Sequence, residues 1–151
     1  MLNPICYKDR KGIYLGVNEI FAKQIAGLPE EEIVGYTLPE VARKVAEIFP
    51  ERSIVNERFL LEHVKEWDTD DTELLKRSGT SIHEYEGICA DGIKRTFLVN
   101  KSTFNNDKGE NYGLITVLQD ITELNKVKKT LEKNEERYRS FIQNFKGIAF
   151  Q

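Results

Sequence analysis

Within ten residues, VLQDITELNK (117–126), this chain passes from one backbone period to another. Before the change, Leu114, Ile115, Thr116, Val117 and Leu118 form an apolar, β-branched run that reads as strand. After it the sequence is charged and reads as one helix from Ile121 to about Asn144. A chain that carries both periods is neither all-helix nor all-sheet, and 151 residues suit one α+β domain with a helix left over. The residues at the joint, Asp120, Thr122 and Glu123, predict a helix start. Asp120 would act as N-cap, and Glu123 at the third helical position would reciprocate.

Charged residues make up 31% and the hydrophobic set 40%, which allows a buried core and a solvated surface. Net charge is −3 and no basic patch stands out, so nucleic acid is not an expected partner. The longest apolar stretches fall well short of the roughly 20 residues of a membrane span. No cationic-then-apolar leader opens the chain, so a secretory signal is not expected. Cys6 and Cys89 fall in separate predicted strands and make no disulfide framework, which points to a reducing, cytoplasmic setting.

The first residues read strand, turn, strand. Ile5 and Tyr7 alternate, Asp9 to Gly12 make the turn, and Ile13, Leu15 and Val17 alternate again. Asn18 is placed to cap the helix that follows, whose face carries Phe21, Ile25 and Leu28 until Gly27 and Pro29 end it. Two short helical pieces follow, one opened by Pro29 with Glu30 to Glu32 and stopped by Gly35, the other begun at Pro39. From Val41 to Gly79 the pattern is mostly helical, interrupted at Pro50, with Leu60, Val64 and Trp67 in one seam. Asp70 with Glu73 has a capping-box spacing, and Lys76, Arg77 and Gly79 mark a C-terminus. Three strands come next, with a turn at Asp91-Gly92 and a polar loop at NNDKGEN (105–111). Leu114 and Leu118 lie in one phase of the last strand and Ile115 and Val117 in the other. A sheet with one wet face alternates more cleanly, so a helix or another subunit is expected over the second face.

The chain ends as it begins. FKGIAFQ (145–151) matches LNPICYK (2–8) in type: apolar, polar, Gly or Pro, Ile, small, aromatic, polar. Self-similarity at domain spacing predicts a tandem array, with 144–151 as the truncated start of a following unit.

The order of elements, and several stretches, resemble the PAS sensory domain. YKDRKGIYLGVNEIFAKQIAGLPEEEIVGYT is similar to that family's opening, DTELLKRSG to the end of its last helix, and YGLITVLQDITE to its final strand and closing Asp-Ile-Thr motif. EERYRSFIQNFKGIAF is similar to the lead-in to a second such domain. The resemblance implies a five-stranded antiparallel sheet in the order 2-1-5-4-3, with small helices on one face. It assigns 1–120 to the sensory domain, 121–143 to a signalling helix and 144–151 to the next domain. It further implies a homodimerising sensor of small molecules or protein partners in a two-component or related signalling protein, such as a histidine kinase. The joint at Asp120, Thr122 and Glu123 would then be where the sheet's state reaches the helix. Along that helix Leu124, Leu131, Tyr138 and Phe145 form one heptad seam, and Ile121, Lys128, Glu135 and Ile142 form a half-polar companion.

The segment from Leu38 to Trp67 is longer than the family's usual version. NERFLL (56–61) is similar to the NCRFLQ stretch of flavin-binding LOV domains, but Glu57 stands where the photoreactive cysteine would be. The flavin adduct needs a thiol, so that photochemistry is excluded. His63 on a helix offers the position of a haem ligand, although lone helical histidines are mostly packed or surface residues. No cofactor is therefore named. His83 opens HEYEG, which lacks the second histidine of a zinc-protease motif. Neither cysteine has an obvious activating neighbour. Phe21, Ile25, Ile33 and Phe97 are candidates to line a pocket between sheet and small helices, or simply to fill the core; Arg58 and Arg95 are candidates to meet an anionic ligand. No carboxylate pair has a spacing for acid–base chemistry, so the chain is not expected to be an enzyme. The alternative function is a ligand-free interaction scaffold.

Overall fold

A computed structural model describes residues 2–149, without the side chains of 50–62 and 147–149. The chain divides into two compact units at the Asp120–Ile121 bond. The first carries five strands: β1 (Ile5–Asp9), β2 (Tyr14–Val17), β3 (Thr80–Ile88), β4 (Lys94–Asn105) and β5 (Asn111–Asp120). They form one antiparallel sheet in the order β2-β1-β5-β4-β3, as the resemblance implied. Between β2 and β3 come a π-helical segment (Phe21–Ala26), a 3-10 turn (Glu30–Glu32), and two helices, α1 (Leu38–Ile48) and α2 (Pro50–Arg77).

Local chemistry sets each boundary. Asp9 Oδ1 accepts from the Lys11 and Ile13 amides and closes the first turn, where Gly12 takes φ +80°. Thr37 and Glu40 form a reciprocal capping box that opens α1, with Pro39 in its first turn. Pro50 likewise sits in the first turn of α2, which begins one residue after Phe49, the residue that closes α1. Arg77 ends α2 as expected, and Ser78 and Gly79 turn the chain at positive φ into β3. The Asp70–Glu73 spacing marks no helix start, because α2 is continuous through it; the Asp70 carboxylate instead meets Lys101 at 3.0 Å.

The alternation read for the first hairpin faces the other way. Cys6, Lys8 and Tyr14 point into the domain, each less than 5% exposed, while Tyr7 and Leu15 are exposed. β1 alternates regularly with Cys6 and Lys8 inward; in β2 a bulge, Tyr7 pairing with Gly16 but Lys8 with Tyr14, makes Leu15 an extra residue, so Tyr14 is buried while Val17 still packs against the core. Cys89 lies just past β3, in the turn rather than in a strand, where its N–H donates to the Ile93 carbonyl. The Asp91-Gly92 turn forms as expected, with Gly92 at φ +82°. On the sheet's far side Tyr7, Ile82 and Ile115 remain exposed in the single chain.

The second unit is one helix, α3 (Thr122–Ala149). It runs five residues beyond Asn144, so the described part of 144–151 is helix where the repeat predicted a strand. Residues 150 and 151 lie outside the described residues. The first intrahelical bond of α3 runs from the Asn125 amide to the Ile121 carbonyl, which puts the cap position at Ile121. Asp120 is the last residue of β5, opposite Phe97.

Candidate functional site

The helices cover the inner face of the sheet, and that face has two halves. The apolar half brings together the four predicted pocket residues. Phe21, Ile33 and Phe97 are buried at 6, 0 and 1% exposure in one core with Tyr14, Val41, Val99 and Leu118, and Ile25 packs against it. Asn18 fixes the rim of this half. Its Oδ1 accepts from the Ile5 and Phe21 amides, both at 3.0 Å, and its Nδ2 donates to the Asn3 carbonyl at 2.7 Å. One side chain thus joins β1, the end of β2 and the first helical segment, a wider role than the cap read from sequence.

The other half is charged, and sequence reading missed it. Lys8 of β1 and Lys101 of β4 both point inward and reach Asp71 of α2, at 2.5 and 2.6 Å. Lys101 also reaches the part-exposed Asp70. Lys8, Lys101 and Asp71 are each at least 94% buried. Burial pushes the Asp71 carboxyl up, but the two ammonium groups and their hydrogen bonds outweigh it and hold it below the usual carboxylate value. Lys8 also stands 4.7 Å from the centre of the Tyr14 ring. The neighbouring Cys6 thiol is pushed up to about 11 by burial, which leaves it inert at neutral pH. The signal lay in strand phase: Lys8 shares its face with Cys6, and Lys101 with Phe97 and Val99. A lysine in the buried phase of a strand needs an acid opposite, but nothing local says which.

Arg95 organises the exit from the sheet. Its guanidinium holds Asp91 in two hydrogen bonds, at 2.9 and 2.7 Å, and its Nε lies 3.8 Å from Asp120. The β3–β4 turn is thereby tied to the last residue of β5. Of the residues predicted for the joint, the sheet unit holds Asp120, and Thr122 and Glu123 open α3. Arg58 and the NERFLL segment lie outside the residues whose side chains are described. His63 packs edge-on against Trp67 and Tyr85, with ring centres 5.8 and 6.3 Å away. Among the described residues no group of three potential metal ligands occurs, and no helix is long and apolar enough to cross a membrane.

On α3 the exposed apolar residues are Leu124, Val127, Leu131, Tyr138, Phe141 and Phe145. The first seam is the one expected. Val127 and Phe141, however, add a companion row on its other side, more apolar than the row through Lys128 and Glu135.

A family model described as PAS fold matches residues 2–126. The PAS domain of Bordetella pertussis BvgS is similar in structure, with a TM-score of 0.56 and 20% identity over 89% of this chain and 88% of that one. The Vibrio cholerae VqmA–ligand–DNA complex is similar at a TM-score of 0.59 and 16% identity, covering 80% of this chain and 46% of that one. A Colwellia psychrerythraea PAS domain has a TM-score of 0.51 and 15% identity, over 82% and 89%. The chain spans about half the length of the VqmA chains it matches. No curated protein matches its sequence significantly.

Proposed function

The chain belongs to the PAS fold family, and from that premise we propose a sensory and dimerisation module without catalytic activity of its own. It takes up a small molecule or protein partner and passes its state through α3 to an output domain, in a signalling protein of the sensor-kinase kind. The observation that carries the reading is the row on α3. Six large apolar side chains, each about 60% exposed or more, repeat at heptad spacing on a helix that begins just after the last strand. Such a row is stable in water when a second copy covers it. In a parallel pair Glu123 would face Lys128 of the second copy across the g–e′ positions, an attractive contact. The seam through Leu124 and Leu131 has two companion rows of unequal polarity. Rotation of the pair from one row to the other gives the helix two packings, as a switch requires. Two unpaired cysteines suit a reducing, cytoplasmic setting.

The test is sedimentation equilibrium of the chain and of a Leu131→Asp/Phe141→Asp variant. A dimer that dissociates in the variant supports the reading; a monomeric wild type, or a variant that stays dimeric, refutes it. A second reading, the ligand-free scaffold, is favoured by the filled core at Phe21, Ile33 and Phe97. Native mass spectrometry separates the two: a bound small molecule favours the sensor, and an empty dimer the scaffold.

A further inference from the structure

A series of contacts runs from the first helical segment to the end of the sheet. The π-helical segment Phe21–Ala26 lies over the apolar half of the inner face, with Phe21 buried in the core and Ile25 packed against it. Its Gln24 carbonyl accepts from the Ala90 amide of the β3–β4 turn at 2.7 Å. The next residue of that turn, Asp91, is held twice. Its Oδ1 accepts from the Ile93 amide at 3.1 Å, and its two oxygens take the Arg95 guanidinium at 2.9 and 2.7 Å. The last contact is loose. Arg95 Nε stands 3.8 Å from the Asp120 carboxylate, beyond hydrogen-bond reach.

Arg95 is thus one cation shared unevenly between two carboxylates. Its side chain is only 12% exposed, so both attractions are stronger than at an open surface. Closing the gap to Asp120 takes a shift of about 1 Å. The shift either draws the guanidinium off Asp91 or carries the turn along with it. Asp91 itself stays with the turn, because the Ile93 amide holds it there. The turn in turn is bonded to the first helical segment. That segment is π-helical, a rare geometry that recurs at functional sites.

We propose that Arg95 is a two-position contact. Held by Asp91 in this structure, it closes onto Asp120 when the first helical segment moves the β3–β4 turn. Asp120 immediately precedes Ile121, whose carbonyl accepts the first intrahelical bond of α3 from the Asn125 amide. The position of Arg95 therefore sets how firmly the start of α3 is anchored to the sheet. The device rests on the sensory reading and deepens it, because it gives the route from the cover of the apolar core to the exit helix.

The experiment is amide hydrogen exchange, read by NMR on the whole chain, in wild type and three variants. Asp91→Asn keeps an oxygen for the Ile93 amide but releases the guanidinium to Asp120. The expected result is about fivefold slower exchange at Asn125 and faster exchange at Ala90. Asp120→Asn is expected to do the reverse, with Asn125 faster and Ala90 slower, since coupling between two sites is reciprocal. Lys94→Gln, which removes an exposed cation from the same hairpin, is expected to leave both rates unchanged. A residue that merely stabilises the fold would speed both amides in both aspartate variants. Shifts in the same sense, no shift at all, or the same pattern from Lys94→Gln would overturn the two-position contact. Such a failure leaves the dimer test on α3 and the ligand test by native mass spectrometry untouched, so the two readings stand or fall separately.

Discussion

Replacing Asp71 by alanine tests the charged half of the inner face most directly. The substitution leaves Lys8, 3% exposed, with no carboxylate partner among the described residues. Removing one partner of a buried ion pair costs about 3–5 kcal/mol, because the other charge stays buried and unpaired. Lys101 adds less, since Asp70 still meets it at 3.0 Å. The expected loss is therefore about 4 kcal/mol at pH 7. Urea titration at pH 7, followed by the fluorescence of the sole tryptophan, Trp67, measures it. A loss under about 1 kcal/mol would refute the reasoning.

Four further outcomes follow from the same structure. In wild type the folded-state value of Asp71 lies below its unfolded value, so its contribution is present above about pH 4 and is lost as pH falls through the lower folded value; acid titrations of wild type and Asp71→Asn should differ in that window and converge below it. Gly113→Ala should be far more damaging than Gly16→Ala. Its Cβ would meet the Lys8 carbonyl oxygen, which is backbone, whereas the Cβ at Gly16 meets only the end of the Tyr7 ring, which can swing away; urea midpoints rank the two. Asn18→Ala should cost about 2–3 kcal/mol, since three hydrogen bonds are lost together, and chemical denaturation reads this directly. Asp120→Ala removes the carboxylate that faces Arg95 at the end of β5; in the full-length protein it should change output more than domain stability, which paired signalling and melting assays resolve.

What could be read along the chain was whatever is decided within a few residues. The strand-to-helix change before Ile121, the turns at Asp9–Gly12 and Asp91–Gly92, the Pro39 helix start, the interruption at Pro50 and the stop after Arg77 are all local. They follow from side-chain period, proline and glycine stereochemistry and capping, and the structure has them nearly where the pattern put them. The resemblance of the opening, the helix end and the Asp-Ile-Thr motif supplied the strand order, which no local pattern contains.

The three-dimensional structure alone decided which side of the first hairpin is inside: alternation along β1 reads the same whichever face is buried, and a one-residue bulge at Leu15 shifts the phase within β2. It alone paired Lys8 and Lys101 with acids 63 and 30 residues away, at Asp71. It also made Asp70, read as a helix cap, part of that network, and set Arg10, Lys76 and Asn111 around one cleft. The physical reason is the range of the forces. Period, caps and turns are settled by neighbours along the chain, whereas a buried charge is tolerable only once folding brings its counter-charge across the core.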